Sequence, residues 1–215
     1  MTALAPHTRM PAAPLDDTAF REAMSSFCTG VAVITATQPD GRPAGMAVQS
    51  FSSVSLDPPL VCFCPASTSS TWPKLRAAGR FAVNVLAADQ RELCRQFAVT
   101  GGDKFTGVGW TPGRNGAPLL DGALATIECD LAGTFPGGDH VIALGRVTAL
   151  TTADHTADHT AEHTADRTAG HIAGHIADPT WDSGPLLYFR RTYGRLRSSS
   201  SRSASIASAR SRSEA

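Results

Sequence analysis

The hydrophobic pattern of this chain is mostly one of short runs with a period of two, broken by glycine and proline. Residues 31–37 (VAVITAT) read as a strand, and 38–43, with Asp40-Gly41 inside, as a hairpin turn. Residues 44–56 and 60–65 are two further β-rich runs, joined at Asp57-Pro58-Pro59, where proline cannot continue a ladder. Residues 81–86 (FAVNVL), 123–134 and 141–150 extend the pattern, 118–120 is a short extended segment, and 185–189 is a final strand. Between the two long alternating runs, residues 135–140 (FPGGDH) form a turn that leaves Asp139 and His140 at the strand ends. Helical spacing covers 15–28, with Phe20, Met24, Phe27 and Cys28 on one face and Asp16 and Asp17 at its positive end. It recurs at 73–78, between Pro73 and the stop at Gly79, and at 89–97, with Leu93, Cys94 and Phe97 inward. At least six strands, two or three short helices and several hairpins predict a small, mainly antiparallel barrel with helical covers.

The rest is organised around residues 44–72 (AGMAVQSFSSVSLDPPLVCFCPASTSSTW). Ser50, Ser52 and Val54 share one face of an extended chain, and Phe51, Ser53 and Ser55 the other. Hydroxyls on both faces make a poor core strand; they suit a strand that presents donors and backbone to something polar and flat. Ser67, Thr68, Ser69, Ser70 and Thr71 then precede the helix at Pro73. Free N–H groups, hydroxyls and Lys74 at a helix start are the chemistry of a phosphate site, although an ordinary capped helix explains the same spacing. Asn84 shares a strand face with Ala82 and Leu86, so its amide needs a partner if buried.

Composition narrows the class. A chain of 215 residues suits one domain with tails, and a net charge of zero gives no global signal for nucleic acid or an anionic membrane. No apolar run reaches the roughly 18 residues of a membrane span, and MTALAPHTRMPAAPLDD has no signal-type apolar core, so a cytoplasmic location is expected. The five cysteines (Cys28, Cys62, Cys64, Cys94, Cys129) lie in apolar contexts without a CxxC pair, as expected of buried free thiols rather than a metal site. No G-x-G-x-x-G, G-x-x-x-x-G-K-[ST] or G-x-S-x-G motif occurs. The expected organisation is a flexible N-terminus at 1–14, one domain at 15–197 and a disordered Ser/Arg tail at 198–215. Within the domain, 152–180 is a His-rich insertion built on a degenerate four-residue repeat (TADH, TADH, TAEH, TADR, TAGH, IAGH). Imidazoles at i, i+4 can share a divalent ion, but a low-complexity surface loop is the favoured reading.

Residues 27–35 (FCTGVAVIT), 45–61 (GMAVQSFSSVSLDPPLV), 79–86 (GRFAVNVL), Gln90, Phe97-Ala98, Asp103-Lys104-Phe105, Gly138-Asp139-His140 and Pro185-Leu186-Leu187-Tyr188 form an ordered set. In order and spacing it resembles the flavin reductase family with an FMN-binding split β-barrel, specifically the small reductase components of two-component flavin-dependent monooxygenases. The resemblance covers roughly residues 16 to 151 and 184 to 196. It implies a mainly β, antiparallel, Greek-key-like barrel with short helices, and a homodimer holding FMN or FAD near the subunit interface. It also implies hydride transfer from NADH or NADPH to that flavin, and diffusion of the reduced flavin to a separate monooxygenase.

Carried onto this chain, the resemblance sets Gly45, Met46, Ala47, Val48, Gln49 and Ser50 beside the isoalloxazine. Cys64, Pro65 and Ala66 would flank the ring and ribityl chain, and Ser67, Ser69, Ser70 and Thr71 would hold the phosphate. Phe97 with Asp103, Lys104 and Phe105 would close over the flavin, and His140 would meet the nicotinamide. Hydride transfer from nicotinamide C4 to flavin N5 needs no protein nucleophile; it needs two stacked planar rings with little water, and N–H groups aimed at the reduced ring's negative edge. Two other classes share the barrel. Pyridoxamine-phosphate-type FMN oxidases use more Arg and Lys for the phosphate and lack the GDH turn, and non-catalytic flavin or haem binders do not require His140. The repeat and the Ser/Arg tail have no counterpart in the family pattern. His140→Ala is expected to raise the KM for the nicotinamide cofactor; steady-state kinetics showing unchanged KM and full kcat would remove that role.

Overall fold

The computed structural model describes residues 16–152 and 184–196. The expected flexible N-terminus, the His-rich repeat and the Ser/Arg tail lie outside the described residues. In chain order the elements are α1 (Asp17–Ser25), β1 (Thr29–Gly30), β2 (Ala32–Thr37), β3 (Pro43–Val48), β4 (Ser52–Leu56), β5 (Pro59–Phe63), α2 (Trp72–Ala78) and β6 (Arg80–Val85). They continue with α3 (Arg91–Ala98), β7 (Trp110–Pro112), β8 (Pro118–Leu120), β9 (Ala125–Gly137), β10 (His140–Thr152), β11 (Leu187–Phe189) and β12 (Thr192–Gly194).

Seven strands form one antiparallel sheet in the order β3-β2-β6-β9-β10-β5-β4. Laid flat, its two edge strands would stand roughly 29 Å apart at about 4.8 Å per strand. Those same edge strands are joined by residues 49–51 alone, a link that spans at most about 14 Å. The sheet must therefore curl until its edges meet at that corner. This is the split barrel, and its inside is filled by Ile34, Phe63, Trp72, Leu75, Phe81 and Val83. Phe63 stands edge-on to Trp72 (centroids 5.9 Å) and Phe81 (5.2 Å), the geometry in which aromatic quadrupoles attract.

The outer face of β2 and β3 is covered too. Val33, Leu86, Cys94, Phe97, Leu120 and Leu186 make a second core beneath α3, β8 and the β11–β12 hairpin. With both faces covered, β2 is buried over its first five residues, as its unbroken apolar run requires. Asn84 ties the two cores together. Its amide donates to Val33 O (3.1 Å) and Thr35 Oγ1 (3.0 Å) and accepts from Leu120 N (2.8 Å), while Thr35 Oγ1 donates to Pro118 O (2.5 Å). The amide is thus a satisfied strand residue at zero exposure.

Several expectations change in detail. The turn expected over 135–140 shrinks to Gly138-Asp139, because β9 runs to Gly137 and β10 starts at His140; Gly138 at φ 74° supplies the backbone hand that a two-residue hairpin needs. Pro59 opens β5, so the break after β4 is Asp57-Pro58 alone. A bulge between Ser53 and Ser55 interrupts the strict alternation expected along β4. The last strand is a hairpin, and the loop before Pro118 contributes β7. Phe51 packs against the inner core. Helix α1 is capped by Asp16 but buries none of its residues, and Cys28 is exposed rather than buried. Asn84→Leu leaves the buried Leu120 N without its partner, removes the donor to Thr35 Oγ1 and is expected to cost about 2–4 kcal/mol. A shift in the urea midpoint worth less than about 0.5 kcal/mol would show the network to be dispensable.

Candidate functional site

β3 is an end strand that pairs with β2 alone, so along one side its backbone groups meet no other strand among the described residues. A cleft of about 400 Å³ follows this free edge. Its floor is Met46, Ala47, Val48, Gln49 and Ser50. Cys64, Ala66 and His140 join the lining from the end of β5 and the start of β10, with Ala66 bridged to His140, and Cys94, Ala98 and Tyr193 join it from α3 and β12, with Cys94 bonded to Tyr193. Small side chains in both groups leave room for something flat, and the edge backbone offers it hydrogen bonds. At the corner, the Ser50 hydroxyl accepts from Cys64 N (2.9 Å) and donates to Cys64 O (3.3 Å). That hydroxyl is a clip between the end of β3 and the end of β5.

His140 reaches the cleft because the β9–β10 hairpin is tied down at its tip. Ser67 N donates to Asp139 O (2.9 Å), Val141 N donates to Pro65 O (2.9 Å), and Ala66 bridges His140. The imidazole Nδ1 lies 2.8 Å from the Asp139 carboxylate, and this hydrogen bond holds the Asp139 carboxyl below the usual carboxylate range. Pro65 is buried behind the wall and contributes its carbonyl rather than a ligand contact.

A second cleft, of about 510 Å³, is lined by Pro43, Ala44 and Gly45, the β3 residues that precede those of the first. Arg42, Ser70, Thr71, Lys74, Lys104 and Phe105 line it. The hydroxyl run is divided by the fold. Ser70 and Thr71 face this cleft, whereas the Ser69 hydroxyl accepts from Thr71 N and Trp72 N (both 3.2 Å). Ser67 N and Ser69 N are also bonded internally. The helix-start N–H groups expected to be free are thus largely satisfied by the loop itself, and side chains carry the positive character of this end.

Phe97 does not close over anything. It is buried at 1% exposure beneath β3, with its ring edge-on to Phe105 at 5.0 Å. A Cβ on Gly45 would come within 2.5 Å of Phe97 Cε1, so the missing side chain at Gly45 makes room for this ring. Lys104 is likewise buried. Its Nζ donates to Phe97 O (3.1 Å), Gly45 O (3.3 Å) and Thr71 Oγ1 (3.5 Å), linking α3, β3 and α2. Burial, and then the charge of Lys74, push the Lys104 ammonium below the usual lysine range. Asp103 shapes the loop by accepting from Phe105 N (2.9 Å) and Thr106 Oγ1 (2.8 Å), bonds that hold its carboxyl low.

The fold therefore gathers residues 46–50, Cys64, Ala66 and His140 in one cleft, and Gly45, Ser70, Thr71, Lys104 and Phe105 around the next. It adds Val31, Cys94, Ala98 and Tyr193 to the first and Arg42 to the second. Nothing in the local pattern marks these additions. Cys94 reads simply as an inward-facing residue of a short helix, and Tyr193 lies beyond the final strand expected at 185–189.

Known proteins share this arrangement of chain. The family described as flavin reductase like domain matches residues 24–197. HsaB, the reductase subunit of a flavin-dependent monooxygenase from Rhodococcus jostii (strain RHA1), is 47% identical over 137 residues, 64% of this chain and 70% of that protein. SmoA, an FMN reductase (NADH) from Agrobacterium fabrum, is 47% identical over 128 residues, 60% of this chain and 72% of that protein. Among solved structures, the Streptomyces globisporus C-1027 NADH:FAD oxidoreductase SgcE6, in complex with NAD and FAD fragments, superposes with a TM-score of 0.69 at 32% identity. That match covers 87% of this chain and 99% of the other. A split barrel with a ligand-sized cleft on its free edge, and a family match from residue 24 to residue 197, lead to one conclusion: the chain belongs to the flavin reductase like domain family.

Proposed function

We propose that the protein is an NAD(P)H:flavin oxidoreductase that passes a hydride from NADH or NADPH to FMN or FAD and supplies the reduced flavin to a partner monooxygenase. The observation that carries this reading is a pair of clefts lined by successive residues of β3, Met46 to Val48 in the first and Pro43 to Gly45 in the second. The first is flat, small-walled and edged with backbone hydrogen-bonding groups; the second is lined by Arg42, Lys74 and Lys104. An elongated ligand with a planar head and a phosphate tail matches both.

When bound, the flavin supplies the hydride acceptor at N5. The chain's own contribution is placement and charge. N–H groups on the unpaired side of β3 would hold the polar edge of the ring and would favour the negative charge that grows there on reduction. His140, oriented by Asp139, lines the first cleft and would position the nicotinamide there. Ser70, Thr71 and Lys74 would hold the phosphate. Lys104 acts from behind, fixing the β3 backbone through Gly45 O.

Large apolar side chains stand in the open on the single chain: Leu56 at 94% exposure, Phe27 at 69% and Leu150 at 67%. A second copy covering them in a homodimer, with flavin near the interface, accounts for that exposure. The relative HsaB, itself a monooxygenase reductase subunit, supports an oxygenase partner, and in this reading the reduced flavin passes to it by diffusion. Among the described residues no helix is long and apolar enough to cross a membrane, and every described cysteine is a free thiol, which fits the cytoplasm.

Purified protein is expected to oxidise NADH or NADPH, followed by loss of the reduced-nicotinamide absorbance, only when FMN or FAD is added. Bound flavin without such turnover would favour an FMN-bound oxidase or a non-catalytic binder. Lys74→Ala is expected to weaken FMN or FAD binding about tenfold while leaving riboflavin, which lacks the phosphate, unchanged. An equal loss for riboflavin would place the phosphate elsewhere.

A further inference from the structure

We propose that Tyr193 is a flavin-binding residue whose ring forms the cleft wall opposite His140 and covers the flavin face turned away from the nicotinamide. Hydride delivery is thereby confined to the His140 side. The proposal rests on the reductase reading given above. It follows from the floor of the cleft. If the ring's polar edge meets the β3 edge backbone, its two faces must turn toward the two sides of the cleft. His140 comes to the cleft at the start of β10 and Tyr193 comes on β12, from a different part of the fold, and Cys64, Ala66, Cys94 and Ala98 of the lining are small.

Tyr193 arrives from far along the chain. It lies on β12, which pairs with β11, and β11 is held against β1 through Thr29 and Gly30, next to Val31 of the cleft. The ring is then fixed from several sides. Its hydroxyl shares a hydrogen bond with Cys94 Sγ at 3.4 Å. The Arg91 guanidinium carbon lies 5.4 Å from the ring centroid, and Tyr188 stands against it at 5.1 Å and 70°. With the hydroxyl engaged by Cys94, what Tyr193 offers a ligand is its aromatic surface. Because that ring is already ordered, binding costs little side-chain entropy.

The test is a flavin titration without nicotinamide, read by flavin fluorescence, on wild type, Tyr193→Leu and Tyr193→Phe, with thermal unfolding as the control for folding. Tyr193→Leu is expected to raise the flavin Kd about tenfold and to relieve quenching. Its KM for the nicotinamide cofactor should stay within about twofold, because that ring is held from the His140 side. Tyr193→Phe keeps the ring and is expected to match wild type. Wild-type Kd and quenching in Tyr193→Leu would overturn the proposal, as would an equal loss in Tyr193→Phe, which would assign the effect to the hydroxyl. If Tyr193→Leu does not fold, Arg91→Ala, an exposed change that loosens the ring, is read instead: reduced quenching supports the proposal and wild-type quenching overturns it. Absence of flavin binding by wild type would overturn the reductase reading and this proposal together; a wild type that binds beside an unmoved Tyr193→Leu overturns this proposal alone.

Discussion

The link at residues 49–51 constrains everything else. It joins the two edge strands of a seven-stranded sheet, and no flat or gently twisted sheet can satisfy it. Curling the sheet to close that corner creates an inside for Phe63, Phe81 and Trp72 and leaves the rest of β3 without a partner strand. In most proteins an open edge is an aggregation risk. Here a cleft lies along it, lined also by residues of the 64–66 segment, β10, α3 and β12. The open edge that lines the cleft and the barrel closure are two results of one short connection.

Holding that edge in place falls to buried polar groups rather than to apolar packing alone. Lys104 takes the carbonyl of Gly45 on one side and that of Phe97, near the C-terminus of α3, on another. A cation near a helix C-terminus is electrostatically favoured, which offsets part of its burial. Asn84 and Thr35 do similar work one strand deeper by anchoring β8 to β2 and β6. Each donor here has an acceptor, so these residues add register and orientation without an orphaned buried charge or amide.

Such a scaffold suits hydride transfer between two planar groups. That reaction depends on distance and stacking, and the protein's part is to place the rings and stabilise the charge that develops. A backbone edge serves this better than flexible side chains, because its donors are fixed by the sheet. The His140 hairpin is fixed in the same manner, through backbone bonds from Ser67 and Val141. The floor of the cleft and the place of His140 in its lining are thus set by main-chain geometry, and other parts of the lining by α3 and the terminal hairpin.

Local pattern was enough for the strands and helices whose periodicity is unbroken: VAVITAT became β2, FAVNVL became β6, and Pro73 to Gly79 framed α2. The ordered motifs from residue 27 to residue 188 were enough for the family and for the floor of the cleft, because residues 46–50 are contiguous and their backbone edge follows from one strand. Residues that act across the fold were misread or missed. Phe97 and Lys104 sit in family-like motifs, yet whether they face a ligand or the core depends on Gly45, 59 positions from Lys104 in the chain. Tyr193 reaches the cleft through Cys94, 99 positions away. The free N–H groups expected after Ser67 were taken by Ser69 and Asp139. By itself, then, the sequence determined the elements, the barrel and the family, since these rest on period, turn chemistry and motif order within short stretches. The tertiary structure alone decided which side chains line the clefts and which support them from behind, because that depends on which distant segments meet when the sheet curls.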